Sequence, residues 1–192
     1  PEPEPEVIPV LQTTGKLNRY YMTRQYNVNY LDRLPAWNYF GSERGVSNAS
    51  VPNSGDHWTY FFDGYIVYNT TTTMYFGVTS DDDSYLWIIE GDVKWSTTGH
   101  PEATDTSWIV DNIPNATLVC DDRGRHGPKT TYLSYRAGSY TFQANTLYSI
   151  LLKVTEYTGG SALYFGISTT DLTNQSRRSS NFPSEFARDY TY

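Results

Sequence analysis

Short runs of alternating apolar and polar residues, separated by clusters of Gly, Asp, Asn, Ser and Thr, extend along most of the chain. Alternation of this kind is typical of β-strands, and no stretch sustains the apolar spacing of a helix. There is no repeat of about 20 to 50 residues, which argues against solenoids and propellers. The pattern therefore predicts an all-β fold, a sandwich of antiparallel strands with long loops.

The predicted strands are short and are joined by turn residues. They lie at residues 7–11, 16–21, 58–62, 65–68, 74–79, 85–89, 116–120, 131–135, 139–143, 147–156 and 162–168. Asp63-Gly64 is expected to turn the chain, segment 80–84 to join two antiparallel strands, and segment 157–161 to close a hairpin.

Three further segments are predicted from their composition. Residues 27–56 are expected to be irregular and to cover an edge of the core. Residues 96–129 form a long polar excursion, interrupted by the single strand at 116–120. The polar tail after residue 168 is expected to be held against the sheets by Phe182 and Phe186.

The composition fits a secreted β-protein, with 18 Tyr, 8 Phe, 5 Trp and only 18% charged residues. A net charge of −7 argues against binding to nucleic acid or to anionic membranes, which draws on clustered Lys and Arg. No apolar run is long enough for a transmembrane helix, so no membrane insertion is expected. The lone Cys120 cannot form an internal disulfide and is expected to be buried.

The chain is expected to be one module of a longer protein. Residues 1–10 begin with a Pro-Glu repeat, which stays extended and is interpreted as a linker. Residues 11–192 are long enough for one domain with a sizeable core and are predicted to form a single β-sandwich, including the C-terminal tail. A bacterial surface protein fits these features, while Asn-X-Ser/Thr sequons leave a eukaryotic secreted origin open.

Three successive carboxylates, Asp81, Asp82 and Asp83, occupy the turn between two aromatic-rich segments. At an effective dielectric near 20, two carboxylates about 4 Å apart repel by roughly 4 kcal/mol. The turn either exposes these acids to water or neutralises them with a hard cation such as Ca²⁺, which takes about 6 to 8 oxygen ligands. A solvated acidic turn and a metal site are both consistent with the residues alone.

The motifs around this turn resemble the PA14 domain, whose hallmark is a strand, a Ser-Asp-Asp-Gly-Ser turn and a Leu-aromatic-Ile strand. The matching segments are residues 62–67 (FDGYIV), 74–88 (MYFGVTSDDDSYLWI), 135–140 (YRAGSY) and 152–163 (LKVTEYTGGSAL). The resemblance implies a β-sandwich, and it implies Ca²⁺ held by two successive aspartates joined by a cis peptide bond. Asp81 and Asp82 match that pair, and segment 156–161 matches the second metal loop.

The resemblance implies two overlapping sets of site residues. The implied metal ligands are Asp81, Asp82, Glu156, Thr158 and Gly159. The implied glycan-binding residues are Asp81, Asp82, Asp83, Tyr157, Thr158 and Gly160. Asp83 replaces the usual glycine of the family, and the second loop offers Glu156, Tyr157 and Thr158 where flocculin-like members carry an Asn ligand. Tyr157, Thr158, Trp95 and segment 100–129 are candidates for sugar specificity, whereas Trp87 lies mid-strand and is expected to be buried.

The predicted function is calcium-dependent binding of cell-surface glycans or polysaccharides by a module of a larger extracellular or cell-surface adhesin. Two alternatives stay open: a metal-independent PA14-type domain that binds protein, and an accessory module of a glycosidase. The sequence contains no recognisable catalytic motif. The adjacent carboxylates of the acidic turn also cannot lie on opposite sides of a bond to be cleaved, as a glycosidase requires. Asp121-Asp122, followed by Arg123, Arg125 and His126, is predicted to form internal salt bridges in a loop.

Overall fold

A computed structural model describes residues 7–23, 38–47, 56, 58–95, 113, 115–132, 137–176 and 179–192. Within these residues the chain forms eleven β-strands. In chain order they are β1 (Val10–Thr14), β2 (Leu17–Thr23), β3 (Asn38–Val46), β4 (Trp58–Ile66), β5 (Thr72–Asp81), β6 (Asp83–Glu90), β7 (Thr117–Asp122), β8 (Gly138–Phe142), β9 (Tyr148–Glu156), β10 (Ala162–Ser168) and β11 (Ala187–Thr191).

The strands form two antiparallel sheets. The large sheet has the order β1-β11-β4-β9-β6-β7, with β2 pairing with both β3 and β4. The small sheet has the order β10-β5-β8. The prediction of an all-β sandwich of antiparallel strands is confirmed.

Successive side chains of the central strands point to opposite faces of the large sheet, so their apolar residues form two layers. The inner layer includes Phe62, Leu86 and Leu152 of the large sheet, packed with Val78 and Phe165 of the small one. An outer layer, which includes Phe61, Trp87 and Leu151, lies on the other face of the large sheet. Full burial of one such side chain contributes roughly 1.5 to 3 kcal/mol, so both layers stabilise strands β4, β6 and β9. Trp87 and Cys120 are both fully buried, as predicted.

The predicted turn at Asp63-Gly64 is wrong, because β4 continues through both residues. Asp63 is buried, and its carboxylate accepts hydrogen bonds from Asn18 Nδ2 at 3.0 Å and from the Trp95 amide at 2.9 Å. Gly64 is required by packing: a Cβ there would lie 2.4 Å from the carbonyl oxygen of Ala187. These two residues serve close contacts inside the sheet and do not reverse the chain.

Both predicted hairpins at the acidic turn and at segment 157–161 are also wrong. Strand β5 belongs to the small sheet and β6 to the large one, and β9 and β10 are divided in the same way. Each connection therefore crosses from one sheet to the other. The alternation that predicted the strands says which residues face the core, but it carries no information on which sheet a strand joins.

Two strands were not predicted. Strand β3 lies in the segment expected to be irregular, and β11 lies in the C-terminal tail. Phe182 and Phe186 are buried, so the predicted anchoring of the tail is confirmed. The predicted cover of the core edge by residues 27–37 and 48–55 lies outside the described residues. So do residues 96–112 of the predicted excursion, the linker residues 1–6 and residues 133–135 of one predicted strand. Among the described residues, no helix is long and apolar enough to cross a membrane.

Candidate metal centre

The acidic turn and the end of β9 meet at one end of the sandwich. Strands β6 and β9 are in register at Asp83 and Thr155, so the next position outward places Asp82 opposite Glu156. On the facing sheet, Asp81 is the last residue of β5 and pairs with Ala162 of β10. The inner apolar row of β9, Ile150, Leu152 and Val154, ends at Glu156. Because each of the two connections runs from one sheet to the other, the three acids lie close together.

Asp81, Asp82 and Glu156 each offer one carboxylate oxygen to a common point, and these oxygens all lie within 4.8 Å of one another. Asp82 is 5% exposed, Glu156 is 1% exposed and Asp81 is half-buried. The Asp81–Asp82 peptide bond is cis, as the family resemblance implies.

The Asp82 carboxylate is held by one backbone amide on each side. The amide of His126 donates to Oδ1 at 2.9 Å, and the amide of Tyr157 donates to Oδ2 at 2.8 Å. Two loops from different parts of the chain therefore fix its orientation. Amide donors to a carboxylate form strong, charge-assisted hydrogen bonds.

Glu156 is in a different situation, because among the described residues neither of its buried carboxylate oxygens has a hydrogen-bond partner. Burial, followed by the charges of Asp82, Asp81 and Asp56, raises the pKa of Glu156 to about 8. Burial and the neighbouring Asp82 also raise the pKa of Asp81. Without a cation, the cluster carries unfavourable electrostatics that the fold does not itself relieve.

A buried Asp122 supports the acidic turn from behind. One of its oxygens accepts from the Ser80 amide at 3.2 Å, and the other pairs with the Lys129 ammonium and with His126 Nε2. Burial acts to raise the pKa of Asp122, but the hydrogen bonds from His126 and Lys129 outweigh it and lower the pKa. Asp122 in turn raises the pKa of His126 to about 9. The predicted internal salt bridging at Asp121-Asp122 is confirmed, with Arg123 paired to Asp121. Both acids lie at the end of strand β7, however, and not in the predicted loop.

The remaining predicted residues of the second loop lie at the rim. Thr158, Gly159 and Gly160 are exposed, and a Cβ on Gly160 would lie 3.7 Å from Asp81 Oδ2. The Gly159 amide donates to Asp56 Oδ1 at 3.0 Å. Tyr157 is half-buried, and the guanidinium carbon of Arg125 lies 3.0 Å from the centre of its ring.

Two predicted residues lie outside this group. Asp83 is fully buried and pairs with Thr155, and because side chains alternate along a strand it projects to the face opposite that of Ser84. Trp95 is 8% exposed and packs in the outer apolar layer, with its indole N–H donating to the Phe62 carbonyl at 2.9 Å. Trp95 is therefore a core residue, and its candidacy for sugar stacking is wrong.

Sequence reasoning missed the His126 amide, the carboxylate of Asp56 and the support from Asp122. The amide has no side-chain signature, so no motif could have indicated it. Asp56 lies 103 positions from Gly159, its hydrogen-bond partner, and only the fold brings it near. The excess of acids around residues 121–122 was a signal, but it did not indicate which backbone those acids would hold.

The residues present fit a hard divalent cation. All three convergent side chains offer carboxylate oxygens, which Ca²⁺ prefers, and no nitrogen or sulfur ligand is among them. The unpartnered Glu156 carboxylate is the kind of buried polar group that a metal satisfies. Asp81, Asp82 and Glu156 are therefore the residues that would hold the ion.

No protein-family profile and no curated protein sequence matches the chain, but solved structures do. The epithelial adhesin 6 A domain from Candida glabrata, in complex with Galβ1-3GlcNAc, has a TM-score of 0.56 at 12% identity over 97% of this chain and 89% of its own. A PA14 sugar-binding domain from an RTX adhesin has a TM-score of 0.52 at 12% identity, over 93% of this chain and 98% of its own.

An anti-sigma factor domain-containing protein from Clostridium clariflavum is also similar, with a TM-score of 0.50 at 13% identity over 92% of this chain and 48% of its own. These similarities define the class of fold: the chain is a PA14-like β-sandwich. The family resemblance of the sequence is confirmed at the level of the fold.

Proposed function

We propose that this domain binds carbohydrate through a Ca²⁺ ion held by Asp81, Asp82 and Glu156, and that it acts as an adhesion module of a larger extracellular or cell-surface protein. Three carboxylates converge at one end of the sandwich, and one of them, Glu156, is buried with no hydrogen-bond donor in the described part of the chain. This convergence supports the proposal most directly. Structural similarity to adhesin domains whose names describe bound or binding sugars supports the carbohydrate class.

When bound, Ca²⁺ would supply open coordination positions for sugar hydroxyls. Asp82 is oriented by its two amide donors, and Asp81 and Asp82 can accept hydrogen bonds from the same hydroxyls. Tyr157 lies half-buried at the rim with the Arg125 guanidinium over one face of its ring, so the edge of the ring is the part that can contact a bound sugar. The exposed Thr158 and Gly160 complete the proposed contact surface, and Gly159 the proposed metal loop.

Binding, and not catalysis, is the activity that the carboxylates favour. All three offer an oxygen to one common point, whereas glycoside hydrolysis needs two carboxyl groups on opposite sides of the bond that breaks. Single-site affinity is expected in the range of roughly 10⁻³ to 10⁻⁶ M, with useful adhesion arising from many copies on one surface.

The test combines calcium titration calorimetry with a glycan array probed in millimolar Ca²⁺ and in EDTA. We expect calcium binding and calcium-dependent glycan binding by the unmodified protein, and loss of both in Asp82→Ala. Glu90→Gln is the matched control, because Glu90 is an exposed acid at the opposite end of β6. A folded protein that binds no glycan in either condition would overturn the proposal and favour the protein-binding alternative.

A further inference from the structure

The loop after β7 carries four cationic side chains, and three of them are paired within the domain. Arg123 pairs with Asp121, and His126 and Lys129 both pair with Asp122. Arg125 differs, because none of its contacts among the described residues is with a carboxylate. Its guanidinium lies on the face of the Tyr157 ring, 3.0 Å from the ring centre to Cζ. Within the described part of the chain, this exposed side chain therefore has no carboxylate partner.

This stacked pair lies directly beside the candidate metal centre. Tyr157 provides one of the two amides that hold the Asp82 carboxylate, and His126, the neighbour of Arg125, provides the other. The backbones of these two loops therefore hold the Asp82 carboxylate, while the side chains of Arg125 and Tyr157 on the same loops contact each other. Arg125 is part of the rim of the site by this construction.

Stacking restricts a guanidinium without consuming its donors. A guanidinium above an aromatic ring keeps its N–H groups in its own plane, where they remain able to bind an oxyanion in a forked geometry. An arginine free in water would lose much more side-chain entropy on binding. The arrangement at Tyr157 is thus prepared for a planar or tetrahedral oxyanion.

The charges at the site allow such a ligand. Three carboxylates with a bound divalent cation leave one net negative charge, and Asp56 beside Glu156 adds a second. Arg125 offsets one of these charges. His126 and Lys129 together carry one positive charge more than their shared partner Asp122 neutralises, which offsets the other. A neutral sugar would need only the coordinating hydroxyls and would leave the guanidinium donors to water. A sugar with an acidic substituent would satisfy them with charge-assisted hydrogen bonds.

We propose that Arg125, stacked on Tyr157, binds an anionic substituent of the glycan, so that the domain selects acidic saccharides over their neutral counterparts. The shared chemistry is an oxyanion on the sugar, either the carboxylate of a uronic acid or a sulfate ester. This inference rests on the proposed function, since it places the substituent beside a sugar bound at Asp81 and Asp82.

The test measures binding to matched sugars that differ in one group. The probes are galactose with galacturonate, glucose with glucuronate, and N-acetylglucosamine with its 6-sulfate, each measured by NMR titration at fixed free Ca²⁺ and fixed ionic strength. We expect the acidic member of at least one pair to bind about tenfold more tightly, which corresponds to about 1.4 kcal/mol. The uronate and sulfate arms identify which oxyanion is recognised.

Variants assign the preference to the stacked arginine. In Arg125→Gln we expect the acidic and neutral members to bind equally, with affinity for the neutral member unchanged. Arg123→Gln is the control, because it removes a cation from the same loop that is already paired with Asp121. As a second readout, the Nε–H resonance of Arg125 should shift on adding the acidic sugar in the unmodified protein, and the neutral sugar should leave it in place.

The outcomes separate this inference from the function on which it rests. Two results would overturn the selection for acidic saccharides and leave the glycan-binding proposal intact. One is calcium-dependent binding with no preference for acidic sugars. The other is an equal loss of affinity for the acidic and the neutral sugar in Arg125→Gln. Absence of binding to every probe would overturn both. An acidic preference that disappears in Arg125→Gln but persists in EDTA would support the role of Arg125 and overturn that of calcium.

Discussion

The backbone amide of Tyr157 donates a hydrogen bond of 2.8 Å to Asp82 Oδ2, although the two residues lie 75 positions apart in the chain. The contact joins the two connections that cross between the sheets. Because each connection carries part of the acidic cluster, the folded protein brings like charges together before any ion binds. An ion that neutralises them should consequently stabilise the fold.

Calcium is expected to raise the unfolding free energy of the domain. For a ligand that binds only the native state, the gain is about 2.7 kcal/mol at 100 times the dissociation constant. We expect thermal unfolding to shift upward with Ca²⁺ and much less with Mg²⁺, which demands a smaller octahedral site. Asp82→Asn should abolish the shift, and Glu90→Gln should keep it. Equal shifts in both variants would place the ion elsewhere.

Stability in EDTA is expected to fall as the pH rises from about 4.5 to about 8. The folded-state pKa of Glu156 is about 8, against an ordinary value of 4.5, so the folded protein holds a proton that the unfolded chain has released. Folding is therefore favoured below this range, and that advantage is lost as the pH passes through the folded pKa. The difference between pKa values of 4.5 and about 8 corresponds to at most about 5 kcal/mol, so we expect a loss of about 2 to 5 kcal/mol.

Urea unfolding at several pH values would measure this loss. Glu156→Gln cannot titrate at this position, so its stability should fall less than that of the unmodified protein across the same range and should exceed it at pH 8. The remaining fall is expected from Asp81 and from His126, whose pKa values are both raised in the folded protein. An unmodified protein whose stability is flat between pH 5 and pH 8 in EDTA would contradict the strained state of Glu156.

The sequence was sufficient for the acids themselves and for the general fold. Successive aspartates between apolar strands carry a visible electrostatic cost, and their motif resembles that of a known domain. Glu156 was predicted only because the resemblance implied a second loop at that place. Glu156 is buried because it occupies the next inward-facing position of β9 after Ile150, Leu152 and Val154. The alternation of apolar residues in this segment already indicated that row.

The sequence was insufficient for the pairing of the strands. Asp63 and Gly64 have the composition of a turn, yet contacts with Asn18 and Ala187 keep them inside β4. Such contacts arise from residues distant in the chain, and local propensity does not contain them. The same limit applies to the His126 amide, which reaches Asp82 through the path of a loop and not through the identity of its side chain.

Removal of the support behind the acidic turn should weaken calcium binding without touching the ion. Asp122 is fully buried, accepts a hydrogen bond from the amide of Ser80 and pairs with Lys129. Asp122→Asn would remove the charge partner of Lys129, whose side chain is 29% exposed and can be solvated, so we expect a cost of about 1.5 to 3 kcal/mol in unfolding free energy. Residues that orient metal ligands typically change affinity by about 10- to 100-fold, so we expect the calcium dissociation constant to rise about tenfold.

Calorimetry and urea unfolding would test this pair of effects on Asp122→Asn. Asp121→Asn is the matched control: Asp121 is also buried and paired, but its partner is Arg123 and it makes no contact with Ser80 among the described residues. We expect Asp121→Asn to lower stability while leaving calcium affinity within about twofold. Equal calcium affinities in the two variants would contradict the orienting role of Asp122.

Substitutions at Trp95 and at Tyr157 should have different effects, the first on the unfolding free energy and the second on glycan binding. Trp95 packs against Phe61 with ring centres 4.9 Å apart and against Trp87 at 6.0 Å, and it fills the outer apolar layer. Trp95→Ala should therefore lower the unfolding free energy by about 3 to 5 kcal/mol, as for other buried aromatic residues. Its calcium and glycan affinities, measured well below the unfolding temperature, should change by less than about twofold.

Tyr157→Ala should instead abolish glycan binding with little effect on stability. The Tyr157 ring is half-buried at the rim and the backbone amide is retained in the variant, so the unfolding free energy should fall by less than about 1.5 kcal/mol. Loss of glycan binding in a folded Trp95→Ala protein would restore Trp95 to the binding surface and contradict its assignment to the core.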